Sequence, residues 1–390
     1  MMNNRDSFQN LILNNIIFSF LIFTIFFKPS FITNDYILNE ISNLLSILLS
    51  FFFLIIYIKK NKMDKFIFAL VLFILSLFFS TIVNLQNPLY FFKIYFPLFG
   101  LIIYINLLIN YDKSKFVKFF GNYLYLIIFI NFLSIVFGHT GEYERMYFLG
   151  YDNTFTPIIV LGSIILSYFS FYKYGKITLK CCCINFVTII SCFLVRSSNA
   201  MMMGFFLVLF DAFLLFKIYS NLKINKIFNL KTYFWISIIV FFVLVVYRLQ
   251  NIFSYIIVDI LSRDLTFTGR TYIWDRALHY ISNSPIIGYG VEDFDLRIIT
   301  KNIFHAHCNY LNILLEGGLF SLVMYFNIFR VIWKRIKKYK YKQSTVILSF
   351  GVFLFFLMST IEYYKRNYIF YILLLILYYF CEEKEVKFEK

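Results

Sequence analysis

Charge is what this sequence has least of. Only 15% of its 390 residues are Asp, Glu, Lys or Arg, where a soluble domain carries about a quarter. So few charges cannot coat the cores that a water-soluble chain of this length builds. Prolines number 5 and histidines 4, so little interrupts the apolar stretches and few side chains offer a base near neutral pH. The six cysteines are scattered, apart from Cys181-Cys182-Cys183. Their spacing supports neither a disulfide framework nor a tetrahedral metal set. What fills the chain instead is apolar: 61% of it is hydrophobic, 23% is aromatic and the mean hydropathy is +0.74. Lipid is the solvent for most of such a chain.

Twelve apolar runs approach the length that crosses a bilayer. They lie near 11–27, 41–58, 66–85, 91–109, 119–137, 155–172, 177–195, 200–218, 233–247, 311–333, 345–360 and 368–381. No small-residue cleavage site follows the first, which reads as a retained helix rather than a removed signal. Lys and Arg in alternate connections total 24 on one side, N- and C-termini included, against 12 on the other. The richer side is cytoplasmic by the positive-inside rule. A net charge of +16 then needs no nucleic acid to explain it.

Arginine and lysine divide in a way that topology does not require. Eight of the 11 arginines fall on the outer side, while 22 of the 26 lysines fall inside. A planar guanidinium grips phosphate or carboxylate with two parallel hydrogen bonds, which an ammonium cannot do. All four histidines, at 139, 279, 305 and 307, also lie outside. Chemistry therefore belongs in the two longer outer connections, 138–153 and, above all, 248–309. Within the larger, 252–261 is apolar enough to lie on a membrane surface. The stretch TGRTYIWDRALHYISNSP follows, and there Trp274, Ala277, Leu278 and Ile281 recur at helical spacing. Asp275, Arg276 and His279 take the opposite face, and Pro285 ends the run.

Gly269-Arg270, Trp274, Ala277-Leu278, Pro285, Gly288-x-Gly290 and Phe294 lead to His307, Tyr310-Leu311, Leu314, Glu316 and Gly318-Leu319. This series resembles the O-antigen ligase and polymerase superfamily, with its large late outer loop, its HNxYL-like motif and its EGG or ExG helix start. The sequence here reads HCNYL, with Cys308 where the family usually has Asn. Arg145, Gly150 and Asn153 resemble the family's second outer segment, and RSSNA around Arg196 resembles its Ser-Arg segment. The resemblance implies an all-α integral membrane protein of about 12 transmembrane helices, GT-C-like, as a single polytopic domain (1–390). The large extracytoplasmic loop then carries short helices.

The activity so implied moves a glycan from an undecaprenyl-pyrophosphate carrier to a sugar hydroxyl in the bacterial inner membrane. A diphosphate leaving group needs positive charge where its negative charge develops, and outer arginines supply that without a metal or cofactor. The attacking hydroxyl needs a base near the working pH, for which histidine is the natural choice. His307 and Arg270 are accordingly the expected catalytic pair. Arg145, Arg276, Arg196 and Glu316 are expected to bind substrate, with Glu316 also able to orient His307 or an arginine. His305 reads as a bystander, since the family pattern uses only the position nearest the helix. It could ligate zinc with His307, yet no partner set at zinc spacing accompanies them. Asp293 and Asp295 have the DxD spacing of nucleotide-sugar enzymes, but on the wrong side of the membrane. Membrane lipids, the lipid-linked oligosaccharide and a chain-length regulator are the expected partners. Three readings stay open: a polymerase of repeat units for O-antigen or capsule, which is favoured; a ligase to lipid A core; and a flippase or transporter. The last would be expected to show mid-membrane charges and related halves.

Overall fold

The computed structural model describes residues 14–60, 63–138, 145–195, 197–216, 229–260, 264–266, 269–291, 305–339, 343–363 and 367–382. Arg196, His139, Phe294 and the two aspartates of the DxD stretch lie outside them. Among the described residues, twelve apolar helices stand where the hydropathy places them. They are α1 (Ile16–Phe27), α2 (Tyr36–Lys60), α3 (Lys65–Val83), α4 (Pro88–Tyr111), α5 (Lys113–Val136) and α6 (Asp152–Tyr174). The second half adds α7 (Leu179–Leu194), α8 (Ser198–Leu215) and α9 (Leu230–Phe241, prolonged by a π-turn, Phe242–Val246). After α10 (Arg270–Asn283) come α11 (Asn309–Tyr339), α12 (Gln343–Ile361) and α13 (Tyr368–Phe380). The protein is an all-α membrane protein. Among the described residues, seven helices are long and apolar enough to cross a membrane. Over the residues described, α1, α7, α9, α12 and α13 are shorter than that.

Polar residues between the apolar runs begin the helices. Asn15, Asp64, Asn87, Asp112, Ser197, Asn229 and Asn367 each accept a first-turn backbone N–H as N-cap, satisfying donors that hydrocarbon would leave unpaired. Helices α4, α6 and α13 are buried along most of their length, whereas α2 and α8 keep one face outward. That outward face is aliphatic and aromatic, including Leu44, Leu48, Phe51 and Ile55 of α2, as expected of a surface that meets lipid tails.

One helix is broken, and the break positions the site. At Gly318 the backbone turns to φ 62°, ψ −166° inside α11, freeing carbonyls that must find other partners in an apolar setting. The segment after α10 supplies them: Tyr289 N–H donates to Leu315 O at 2.8 Å and Gly290 N–H to Glu316 O at 2.9 Å. In return, Leu319 N–H donates to Pro285 O at 2.8 Å. A Cβ on Gly318 would sit 2.2 Å from the Ile286 carbonyl carbon, and one on Gly288 would sit 2.6 Å from Leu315 O, so both positions require glycine. The EGG motif is therefore a break within α11, not the helix start expected of it. The helix itself begins at Asn309.

Candidate active site

Five helix ends converge at one end of the bundle: the starts of α6, α8, α10 and α11 and the end of α12. At the centre is Glu362, the residue after α12, and it is 5% exposed. Its Oε1 lies 2.8 Å from Nδ1 of His307. Its Oε2 accepts from Nη2 of Arg270 at 2.8 Å and from Nδ2 of Asn153 at 3.1 Å. The Tyr363 N–H completes the set, 3.2 Å from Oε1.

Local sequence explains each arm. Arg270 opens α10 directly after Gly269, which takes φ 83° as N-cap. Arg248 anchors the helix by donating to Thr271 O at 2.8 Å, pairing with Asp275 and lying over the Trp274 ring. His307 precedes α11 in a left-handed conformation, φ 45°, a region that histidine enters more readily than most residues. Asn312 pins that turn, accepting the Ala306 N–H at 3.1 Å and donating to Cys308 O at 2.8 Å. Asn153 lies in the first turn of α6 and accepts from Ser197 Oγ, the cap of α8, at 2.6 Å.

The electrostatics fix the proton on His307. Burial pushes the Glu362 carboxyl up, but the His307 hydrogen bond and the Arg270 charge outweigh it and hold the group below the ordinary carboxyl value. Glu362 is thus ionised and can only accept. His307 must offer it an Nδ1–H, so Nε2 carries the lone pair of the neutral ring. Burial pushes the Cys308 thiol up to about 12, so it is a core side chain and no thiolate nucleophile.

Arg270 and His307, expected from the sequence, thus meet on one carboxylate, and Asn153 joins them. Arg145, at φ 73°, reaches Asp152 at 3.9 Å, beside Asn153. Two other expected binding residues are placed elsewhere. Arg276 is exposed, with its guanidinium over the Tyr280 ring. The Glu316 carboxylate is buried and accepts from Tyr95 at 2.9 Å and Tyr363 at 3.0 Å. It borders a cavity of about 20 Å³, room for one water. Its partners are tyrosines from distant helices, which spacing along α11 does not reveal. Arg196 precedes Ser197 in sequence but lies outside the described residues. The ring centroid of His305 lies 4.2 Å from that of His307, and the backbone N–H of His307 donates to His305 Nδ1 at 3.3 Å.

Sequence reasoning missed Glu362 altogether. Its one signal was a lone acid closing an apolar run in a connection that also carries Lys365 and Arg366.

Residues 184–326 match the model of the O-antigen ligase family, a range that contains both Arg270 and His307. Over that range, less than half of its length, the chain is similar to the O-antigen ligase family. It is also similar to the exopolysaccharide production protein ExoQ of Rhizobium meliloti (strain 1021), with 26% identity over 82 residues. That alignment covers 18% of this chain and 19% of the relative. No solved structure matches the chain. Asn153 and Glu362 fall outside the region that the superfamily model matches, so half of the cluster is contributed by helices it does not describe.

Proposed function

We propose that this protein is a metal-independent glycosyltransferase that polymerises undecaprenyl-pyrophosphate-linked oligosaccharide repeat units at the outer face of the bacterial inner membrane, both termini being cytoplasmic. The observation that carries the proposal is the placement of a histidine base and an arginine on the two oxygens of one buried carboxylate. Nε2 of His307 takes the proton of the acceptor sugar hydroxyl as its oxygen attacks the anomeric carbon of the donor. The new C–O bond forms as the bond from that carbon to the diphosphate oxygen breaks, and the electron pair leaves with the diphosphate. Glu362 does not accept the proton. It holds the Nδ1–H tautomer and steadies the imidazolium that forms. Arg270, with Arg145 nearby, faces the charge that grows on the leaving group. Membrane lipids, the lipid-linked oligosaccharide and a chain-length regulator are the partners this reading implies, with O-antigen or capsule as the product.

A second reading, transfer of the finished glycan to lipid A core, is favoured by the ligase description of the family model. A deletion strain separates the two. Core carrying single repeat units supports the polymerase, and bare core with polymer left on its carrier supports the ligase. Unchanged glycan would refute both. His307→Ala and Arg270→Ala, expressed at normal level, should reproduce the deletion.

A further inference from the structure

We propose that His305, His307 and Glu362 form a binding site for a first-row divalent cation, Zn²⁺ foremost, and that its occupation shuts the site off. The ligand atoms of all three residues lie within 4.8 Å of one another. The two histidines are part-exposed and the carboxylate is buried beneath them. Two imidazoles, one carboxylate and an open fourth position form a donor set that zinc favours. Sequence spacing concealed it because the third donor, Glu362, comes 55 residues after His307.

The carboxylate is already aimed. Arg270 and Asn153 hold Oε2, as outer partners hold the ligating carboxylates of metal sites, and this leaves Oε1 toward the histidines. Zinc–nitrogen bonds of about 2.0–2.1 Å bring tetrahedral ligands to about 3.3 Å from one another. The widest separation must therefore close by about 1.5 Å, the difference from 4.8 Å. Rotation of the two part-exposed histidine rings would supply this. The Arg270 charge on the same carboxylate opposes the cation, so the affinity falls below that of a structural zinc site. Imidazole binds metal through an unprotonated nitrogen, so a cation shared with Glu362 Oε1 displaces the proton of the Nδ1 that faces it, and the neutral ring then carries its proton on Nε2, where an acceptor hydroxyl needs the lone pair.

Shut-off rests on the transferase reading above, whereas the binding does not, so the two are measured separately. Full-length protein in detergent is stripped with a chelator and titrated with Zn²⁺ against a chromophoric competitor. The expected result is one zinc per chain, bound at least about tenfold more weakly by His305→Ala. In parallel, glycan transfer by the parent protein should fall as zinc saturates it. His305→Ala, measured relative to its own rate in chelator, should tolerate about tenfold more zinc. Absence of one-to-one binding, or equal affinity in His305→Ala, overturns the site. Turnover that rises with zinc overturns the shut-off. If binding weakens in His305→Ala but neither protein transfers glycan, the site stands and the transferase reading falls.

Discussion

Replacing Glu362 with glutamine changes one acceptor oxygen into an NH2 group at nearly constant volume, and the surroundings leave that NH2 nowhere to go. The four groups around the carboxylate are all donors: His307 Nδ1 at 2.8 Å, Arg270 Nη2 at 2.8 Å, Asn153 Nδ2 at 3.1 Å and the Tyr363 N–H at 3.2 Å. Turned toward Arg270 and Asn153, the amide leaves the guanidinium without its counter-charge. Breaking such a buried pair costs about 3–5 kcal/mol, or roughly 10²- to 10⁴-fold at about 1.4 kcal/mol per decade. Turned toward His307, it forces the tautomer with Nε2–H, which presents a proton where one must be taken up. A wrong tautomer in a comparable carboxylate–histidine pair costs about 10⁴-fold in kcat. Either way, Glu362→Gln should lose about 10²- to 10⁴-fold in turnover, mainly in kcat. The assay is extension of a lipid-linked repeat unit by purified protein, resolved as a product ladder, with gel filtration in detergent verifying the fold. A well-folded glutamine variant within about threefold of the parent would refute the tautomer and ion-pair reasoning together.

Three further outcomes are expected. Arg270→Lys keeps the charge but not the planar fork, so transfer should fall at least about tenfold with protein level unchanged; full activity would mean that a point charge suffices. Gly318→Ala places a Cβ 2.2 Å from the Ile286 carbonyl at a φ suited to glycine, so it should cost several kcal/mol, seen as loss of folded protein and a lower Tm in detergent. The Glu362 carboxyl is held below its ordinary 4.5, so its ionisation stabilises the fold above about that pH. The stabilisation is lost as pH falls through the depressed folded value. The Tm gap between the parent and Glu362→Gln should therefore be full near neutrality and close as pH drops below 4.5.

The helices were legible because their driving force is local: an apolar run with polar caps declares itself whatever lies beside it. Helix ends were less so, and α11 runs from Asn309 to Tyr339 where hydropathy marks 311–333, because its ends are polar while its backbone continues. His307 and Arg270 were found by resemblance, since both sit in motifs that can be read along the chain. Glu362 could not be found that way. It is 92 residues from Arg270 and 55 from His307, and its significance arises only from the folding of α12 beside α6 and α11. Glu316 is a different case: a carboxylate in an apolar helix signals function in general, and tyrosines from α4 and the end of α12 donate to this one.

The break in α11 also governs how the segment 269–291 can be exchanged. The loop is stitched by its backbone to 315–320, so the arm that carries Arg270 and the helix that begins beside His307 form a single cassette. A chimera that grafts a relative's 269–291 onto this chain must bring that relative's 315–320 with it. Otherwise the imported loop meets carbonyls in the wrong register, and the two reactive groups arrive out of step with each other.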